Sequence, residues 1–92
     1  MVKLRNRSMK KNAQNVVGAQ VRRIRTEKEM TQEQLAARCG ILGWDLSRGT
    51  LAKIEAQVRC VTDAELYAFA KALKCGVVDL YPADSVVLKV LG

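Results

Sequence analysis

Thr31-Gln32-Glu33-Gln34-Leu35-Ala36 is the stretch that most constrains the fold of this chain. The Thr31 hydroxyl can accept from the backbone N–H of Gln34, and the Gln34 side chain can accept from the N–H of Thr31. That reciprocal pair is a capping box, and it starts a helix. The same chemistry recurs at Thr62 and Glu65. Gly40 and Gly76 follow these starts at short range, Gly40 suited to the left-handed residue beyond a helix end and Gly76 to a stop. Helices this short are marginal alone, so packing must hold them.

The remaining signals fill in around these starts. Residues 1–14 are basic and polar without a sustained period, and read as a flexible arm. Asn15 can cap a helix carrying Val17, Val21 and Ile24 at helical spacing and ending near Glu29. Leu35, Ala36 and Cys39 should face inward in the next helix, and Ile41-Leu42-Gly43-Trp44-Asp45 connects it to a third. Asp45 or Ser47 can cap that third helix, which points Leu51 and Ile54 inward. Leu66, Phe69, Ala70 and Leu73 line the helix begun at Thr62. Val77-Val78-Asp79-Leu80-Tyr81 suits a further turn, ended by Pro82, and the apolar tail Val86–Leu91 fits helix or strand. The expected fold is all-α, a compact bundle of about five short helices. We expect an arm at 1–14, the helical domain at 15–82 and a tail at 83–92.

Ninety-two residues suit a single domain, and 49% hydrophobic content can close a core in which aliphatic residues outnumber the four aromatics. The net charge is +7. Residues 1–28 hold nine Lys/Arg and one acid, residues 29–59 four of each, and residues 60–92 three basic and four acidic. The excess therefore sits at the N-terminal end. It favours a polyanionic partner, although net charge also serves solubility.

Other classes fare poorly. Cys39, Cys60 and Cys75 have no C-x-x-C spacing, and the chain contains no histidine. Neither a metal site nor a cofactor is expected, and the cysteines read as buried, reduced thiols. The commonest general base and any phosphate-cradling glycine loop are also missing, so the chain is not expected to be an enzyme. No apolar run approaches the roughly 20 residues of a membrane span. The basic N-terminus lacks the apolar stretch of a signal peptide, and the expected location is the cytoplasm.

Arranged in this order, the chain resembles the lambda-repressor-like, or Cro-repressor-like, helix-turn-helix family. The resemblance rests on Val21-Arg22-Arg23-Ile24-Arg25, Thr31-Gln32-Glu33-Gln34-Leu35-Ala36, Gly40, Leu51-Ala52-Lys53-Ile54-Glu55, and Ala70-Lys71-Ala72-Leu73 with Val77-Val78-Asp79-Leu80-Tyr81. It implies five helices that bind double-stranded DNA, with the helix around 47–55 in the major groove, usually as a dimer on a palindromic site. Two departures stand out. Fifteen positions separate Gly40 from Glu55, so the turn is longer than the family's, and Gln57 occupies the place of a family glycine.

The resemblance assigns roles residue by residue. Gln32 matches a phosphate-clamping glutamine, and a helix N-terminus favours the same contact. Ser47, Arg48, Gly49 and Thr50 open the recognition helix. Arg48 can grip guanine O6 and N7 in a bidentate way or hold a phosphate. Gly49 lowers helix propensity by about 1 kcal/mol relative to Ala, which close approach to DNA or a frayed helix start would explain. Lys53 suits a phosphate. Arg25 and Glu55 pair as a structural bridge between helices. Arg22 and Arg23 read as a solvated face. The basic arm can enter a minor groove or add nonspecific affinity only. Trp44 can lie on the core as a lid or meet a protein partner. The tail can pack back, fray or join two copies.

Two functions follow. The first is a sequence-specific transcriptional regulator of bacterial or phage type, a repressor acting as a homodimer. No effector domain follows the motif, so ligand control is not expected. The second is a protein-interaction module on the same fold, such as an antitoxin or a subunit of a larger complex, engaging its partner through Trp44 or the tail.

Overall fold

The computed structural model describes residues 13–91. The expected basic arm therefore lies outside the described residues apart from Ala13 and Gln14. Among the described residues five α-helices follow one another: α1 (Gly18–Glu27), α2 (Gln32–Ile41), α3 (Arg48–Glu55), α4 (Asp63–Leu73) and α5 (Asp84–Leu91), with a 3-10 turn at Val77–Leu80 before α5. None of the helices among the described residues is long and apolar enough to cross a membrane.

The helix starts obey local chemistry. Both capping boxes form: Thr31 Oγ1 accepts from Gln34 N at 3.0 Å, and Thr62 Oγ1 from Glu65 N at 3.1 Å. Each is closed by the return bond to the cap's own N–H at 2.8 and 3.0 Å. Of the two candidates for α3, Ser47 is the cap, its hydroxyl accepting from Thr50 N at 3.0 Å. Asn15 serves α1 from outside it, its Oδ1 accepting from the N–H groups of Val17 and Gly18.

The helix ends share one device. In α1 to α4 the residue beyond the end takes a left-handed backbone: Glu29 (φ 57°), Gly43 (φ 102°), Gln57 (φ 67°) and Lys74 (φ 57°). Each end is closed by the paired bonds of a Schellman motif. In α2 these are Gly43 N to Gly40 O and Trp44 N to Cys39 O, both 3.0 Å. In α4 they are Lys74 N to Lys71 O at 3.2 Å and Cys75 N to Ala70 O at 3.0 Å.

This corrects two expectations. Gly40 is not the left-handed stop of α2; the helix runs through it to Ile41, and Gly43 takes that role. The reason is tertiary: stopping at Gly43 delivers Trp44 to the core, where its ring meets Phe69 edge-on with centroids 5.0 Å apart. Only Ile41 of the extra length after Gly40 is helix; residues 42–47 connect α2 to α3. Likewise Lys74, not Gly76, ends α4; Gly76 has extended backbone and its N–H donates to Asp79 Oδ2 at 2.9 Å.

The core runs through the bundle. Val21, Leu35, Cys39, Leu51, Ile54, Phe69, Leu73 and Leu80 are fully buried. Gly18 marks the closest approach of α1 to α3, because a Cβ there would collide with the carbonyl oxygen of Ile54. Burial pushes the Cys39 thiol up to about 11. Cys60, expected to be buried, is exposed: the neighbouring Val61 takes the inward position instead. The tail forms α5, and no residue of that helix is buried. Its Leu88 and Leu91 are 61% and 81% exposed, so these leucines do not pack back on the core of their own chain.

Candidate nucleic-acid interface

Helix α3 has two faces. Leu51, Ile54 and Glu55 are buried, whereas Arg48, Gly49 and Lys53 are exposed and Thr50 is half-exposed. Gly49 and Lys53 are one turn apart and share the outward face. A Cβ at Gly49 would meet nothing nearer than Ser47 Oγ at 4.0 Å, so packing within the protein does not demand glycine there. The Ser47 hydroxyl is engaged by the cap and by Thr50 Oγ1 at 3.0 Å. The outward face thus offers a guanidinium, an ammonium and a bare stretch of backbone.

A buried polar frame holds this helix against the other two. Arg25 of α1 donates from Nε to Glu55 Oε2 at 2.7 Å and from Nη2 to Glu55 Oε1 at 3.0 Å. Its Nη1 donates to the Met30 carbonyl at 2.7 Å. Such a fork of parallel charge-assisted bonds fixes geometry as well as charge. The side chains of Arg25 and Glu55 are only 13% and 4% exposed, so removing either partner would strand the other. Gln32, the first residue of α2, joins the frame by donating from Nε2 to Glu55 Oε1 at 3.0 Å. Nothing in the sequence had linked Gln32 to Glu55.

The same C-terminal end of α3 is also held by a clasp that sequence reasoning missed. Asn15 Nδ2 donates to the carbonyls of Ile54 at 3.1 Å and Arg59 at 2.8 Å. Gln57 Nε2 donates to the Asn15 carbonyl at 3.3 Å, and Gln14 N to the Gln57 carbonyl at 2.9 Å. Gln57 thus keeps the left-handed backbone while its side chain makes a bond that glycine cannot. Arg59 forks onto Glu65 at 3.0 and 3.2 Å, tying the next loop to α4.

Outside α3, Arg22 and Arg23 lie on an exposed face of α1, and Arg23 pairs with Glu27 at 2.7 Å. Trp44 is half-buried on the core, as a lid would be. Beside it, exposed Leu42 and Tyr67 line a shallow groove together with Ala64 and Ala68.

A helix-turn-helix family model matches residues 21–80. Among solved structures, the restriction-modification controller protein C.AhdI from Aeromonas hydrophila is similar at a TM-score of 0.63 and 29% identity, covering 71% of this chain and 91% of that one. The clp gene regulator ClgR from C. glutamicum is similar at 0.62 and 26%, covering 84% and 86%. The restriction-modification controller protein C.Esp1396I, solved as a tetramer with its natural 35-base-pair operator, is similar at 0.60 and 30%, covering 83% and 91%. Comparison with curated proteins gives no match.

Proposed function

The chain belongs to the helix-turn-helix family, and from that premise we propose that it is a sequence-specific, double-stranded-DNA-binding transcriptional regulator. It acts in the cytoplasm, as a repressor and as a homodimer, with α3 in the major groove. The observation that carries this reading is the outward face of α3: Arg48, Gly49 and Lys53 stand clear of the protein on a helix anchored to α1 and α2 through its last turn. Arg48 reads base edges or a flanking phosphate, Lys53 takes a phosphate, and Thr50 and the Ser47 cap flank them. Gln32 holds a phosphate at the start of α2. Glu55 meets no phosphate, because it is buried and paired with Arg25. Likeness to a controller protein solved on its operator supports the same assignment.

Homodimerisation is assigned to α5. An exposed apolar helix at the end of the chain invites aggregation unless a second surface covers it, and a two-fold pair of such helices is self-complementary.

Selection from random duplexes, followed by anisotropy titration at two salt concentrations, tests the proposal. A palindromic site is expected, with Arg48→Ala weakening specific binding by about 1–3 kcal/mol while nonspecific binding persists. Absence of any preferred duplex would sink it.

The groove beside Trp44 favours a second reading, an antitoxin or complex subunit whose partner covers Leu42, Trp44 and Tyr67. Stoichiometric co-purification of a second protein from the native source, lost in Tyr67→Lys, would support it.

A further inference from the structure

We propose that Glu55 is a positioning residue for DNA binding: it holds the Gln32 carboxamide ready for a backbone phosphate. The inference rests on the assignment of Gln32 as a phosphate contact.

Arg25 alone satisfies the charge of Glu55, with one bond to each carboxylate oxygen. The bond from Gln32 Nε2 to Oε1 adds nothing to neutralisation. What it does is fix a long side chain that would otherwise sample many rotamers at the first position of α2. Arg25 also grips the carbonyl of Met30, the residue before the Thr31 cap, so the start of α2 and the carboxylate are locked to one guanidinium. One Nε2 hydrogen of Gln32 points at Glu55. The second hydrogen of that planar group diverges from the carboxylate and stays available as a donor. Because Arg25 neutralises Glu55, a phosphate near Gln32 meets no net negative charge. The ordering entropy of the contact is thus met at folding rather than at binding, the usual gain from preorganisation.

The test replaces the ion pair with an apolar one. Arg25→Met with Glu55→Met keeps contact between α1 and α3 and leaves no buried charge, an exchange that cores often tolerate. It removes the acceptor for Gln32. Binding to the selected duplex is measured by anisotropy, and folding by thermal melting, in the wild-type and Gln32→Ala backgrounds. The double variant is expected to fold and to bind about three- to tenfold more weakly, matching Gln32→Ala. Adding it to Gln32→Ala should cost nothing further. The salt dependence should not change, because a carboxamide releases no counterion.

A folded double variant with wild-type affinity overturns the proposal, as does an equal loss in both backgrounds. If Gln32→Ala alone has no effect, the phosphate assignment fails and the positioning role with it. Should the double variant not fold, side-chain amide relaxation of Gln32 in the free wild-type protein decides. A rigid amide that shifts on adding duplex supports the proposal, and a mobile one overturns it.

Discussion

Gly18 lies directly against the carbonyl oxygen of Ile54, leaving no room for a side chain between α1 and α3. The obstruction is backbone, which cannot swing aside as a flexible side chain can. Gly18→Ala is therefore expected to destabilise the fold by about 1–3 kcal/mol, the usual cost of overpacking. Chemical denaturation checks this, with a lowered midpoint and an unchanged slope as the expected result. A wild-type midpoint would mean that α1 can shift on α3.

Gly49 is the opposite case. It is exposed, and a Cβ there finds open space. Gly49→Ala should leave the fold equally stable or up to about 1 kcal/mol more stable, through helix propensity. If α3 brings its backbone close to DNA at this point, the same substitution weakens specific binding. Higher melting temperature with lower operator affinity is the expected pair of results. Unchanged affinity would remove Gly49 from the interface.

The left-handed residues at helix ends offer a controlled comparison. Lys74 takes φ 57° with its side chain exposed, so Lys74→Gly relieves backbone strain and should stabilise by about 0.5–1 kcal/mol. Gln57 has the same backbone, but its side chain is buried and bonded to the Asn15 carbonyl. Gln57→Gly loses that bond, and the two effects oppose each other, leaving a smaller gain or a loss. Thermal melts of both variants side by side test the ordering; Gln57→Gly stabilising more than Lys74→Gly would contradict it.

These residues also show what the sequence made legible. Thr31 with Gln34 and Thr62 with Glu65 announce helix starts because the bonds close within three residues. Glycine spacing misled at Gly40 and Gly76, because the ends of α2 and α4 are set elsewhere: at Gly43, where Trp44 must reach Phe69, and at Lys74, which tolerates a left-handed backbone. The contact of Gly18 with Ile54 joins residues far apart in sequence and leaves no local trace. The Arg25–Glu55 bridge came from resemblance alone. Its link to Gln32 depends on how α1, α2 and α3 meet, which no spacing encodes.

Arg59 and Glu65 give the fold a pH dependence. The hydrogen-bonded Arg59 guanidinium holds the Glu65 carboxyl below its ordinary value. In the unfolded chain Glu65 returns to that value, so as pH falls the unfolded state takes up its proton first. The stabilisation is complete above the ordinary carboxylate range and is lost as pH falls through the lowered value. Both groups are partly solvated, so the contribution is under about 1 kcal/mol. Glu65→Gln preserves the capping box with Thr62 and removes the charge. Melting temperatures between neutral and acidic pH should fall less steeply in the variant; parallel curves would show that the pair is fully screened.

Helix α5 separates assembly from folding. No residue of α5 is buried, and Leu88 and Leu91 face solvent in the single chain. Leu88→Lys with Leu91→Lys therefore removes nothing from the core, and the secondary structure and core packing of the rest should persist. Buried between two copies, the same leucines become lysines facing lysines across a two-fold axis, where apolar burial is lost and like charges meet. Sedimentation equilibrium should show a dimer for the wild type and a monomer for the variant. Operator binding by the variant should weaken and become steeper in protein concentration, since two monomers must now assemble on DNA. A variant that stays dimeric would move the interface away from α5.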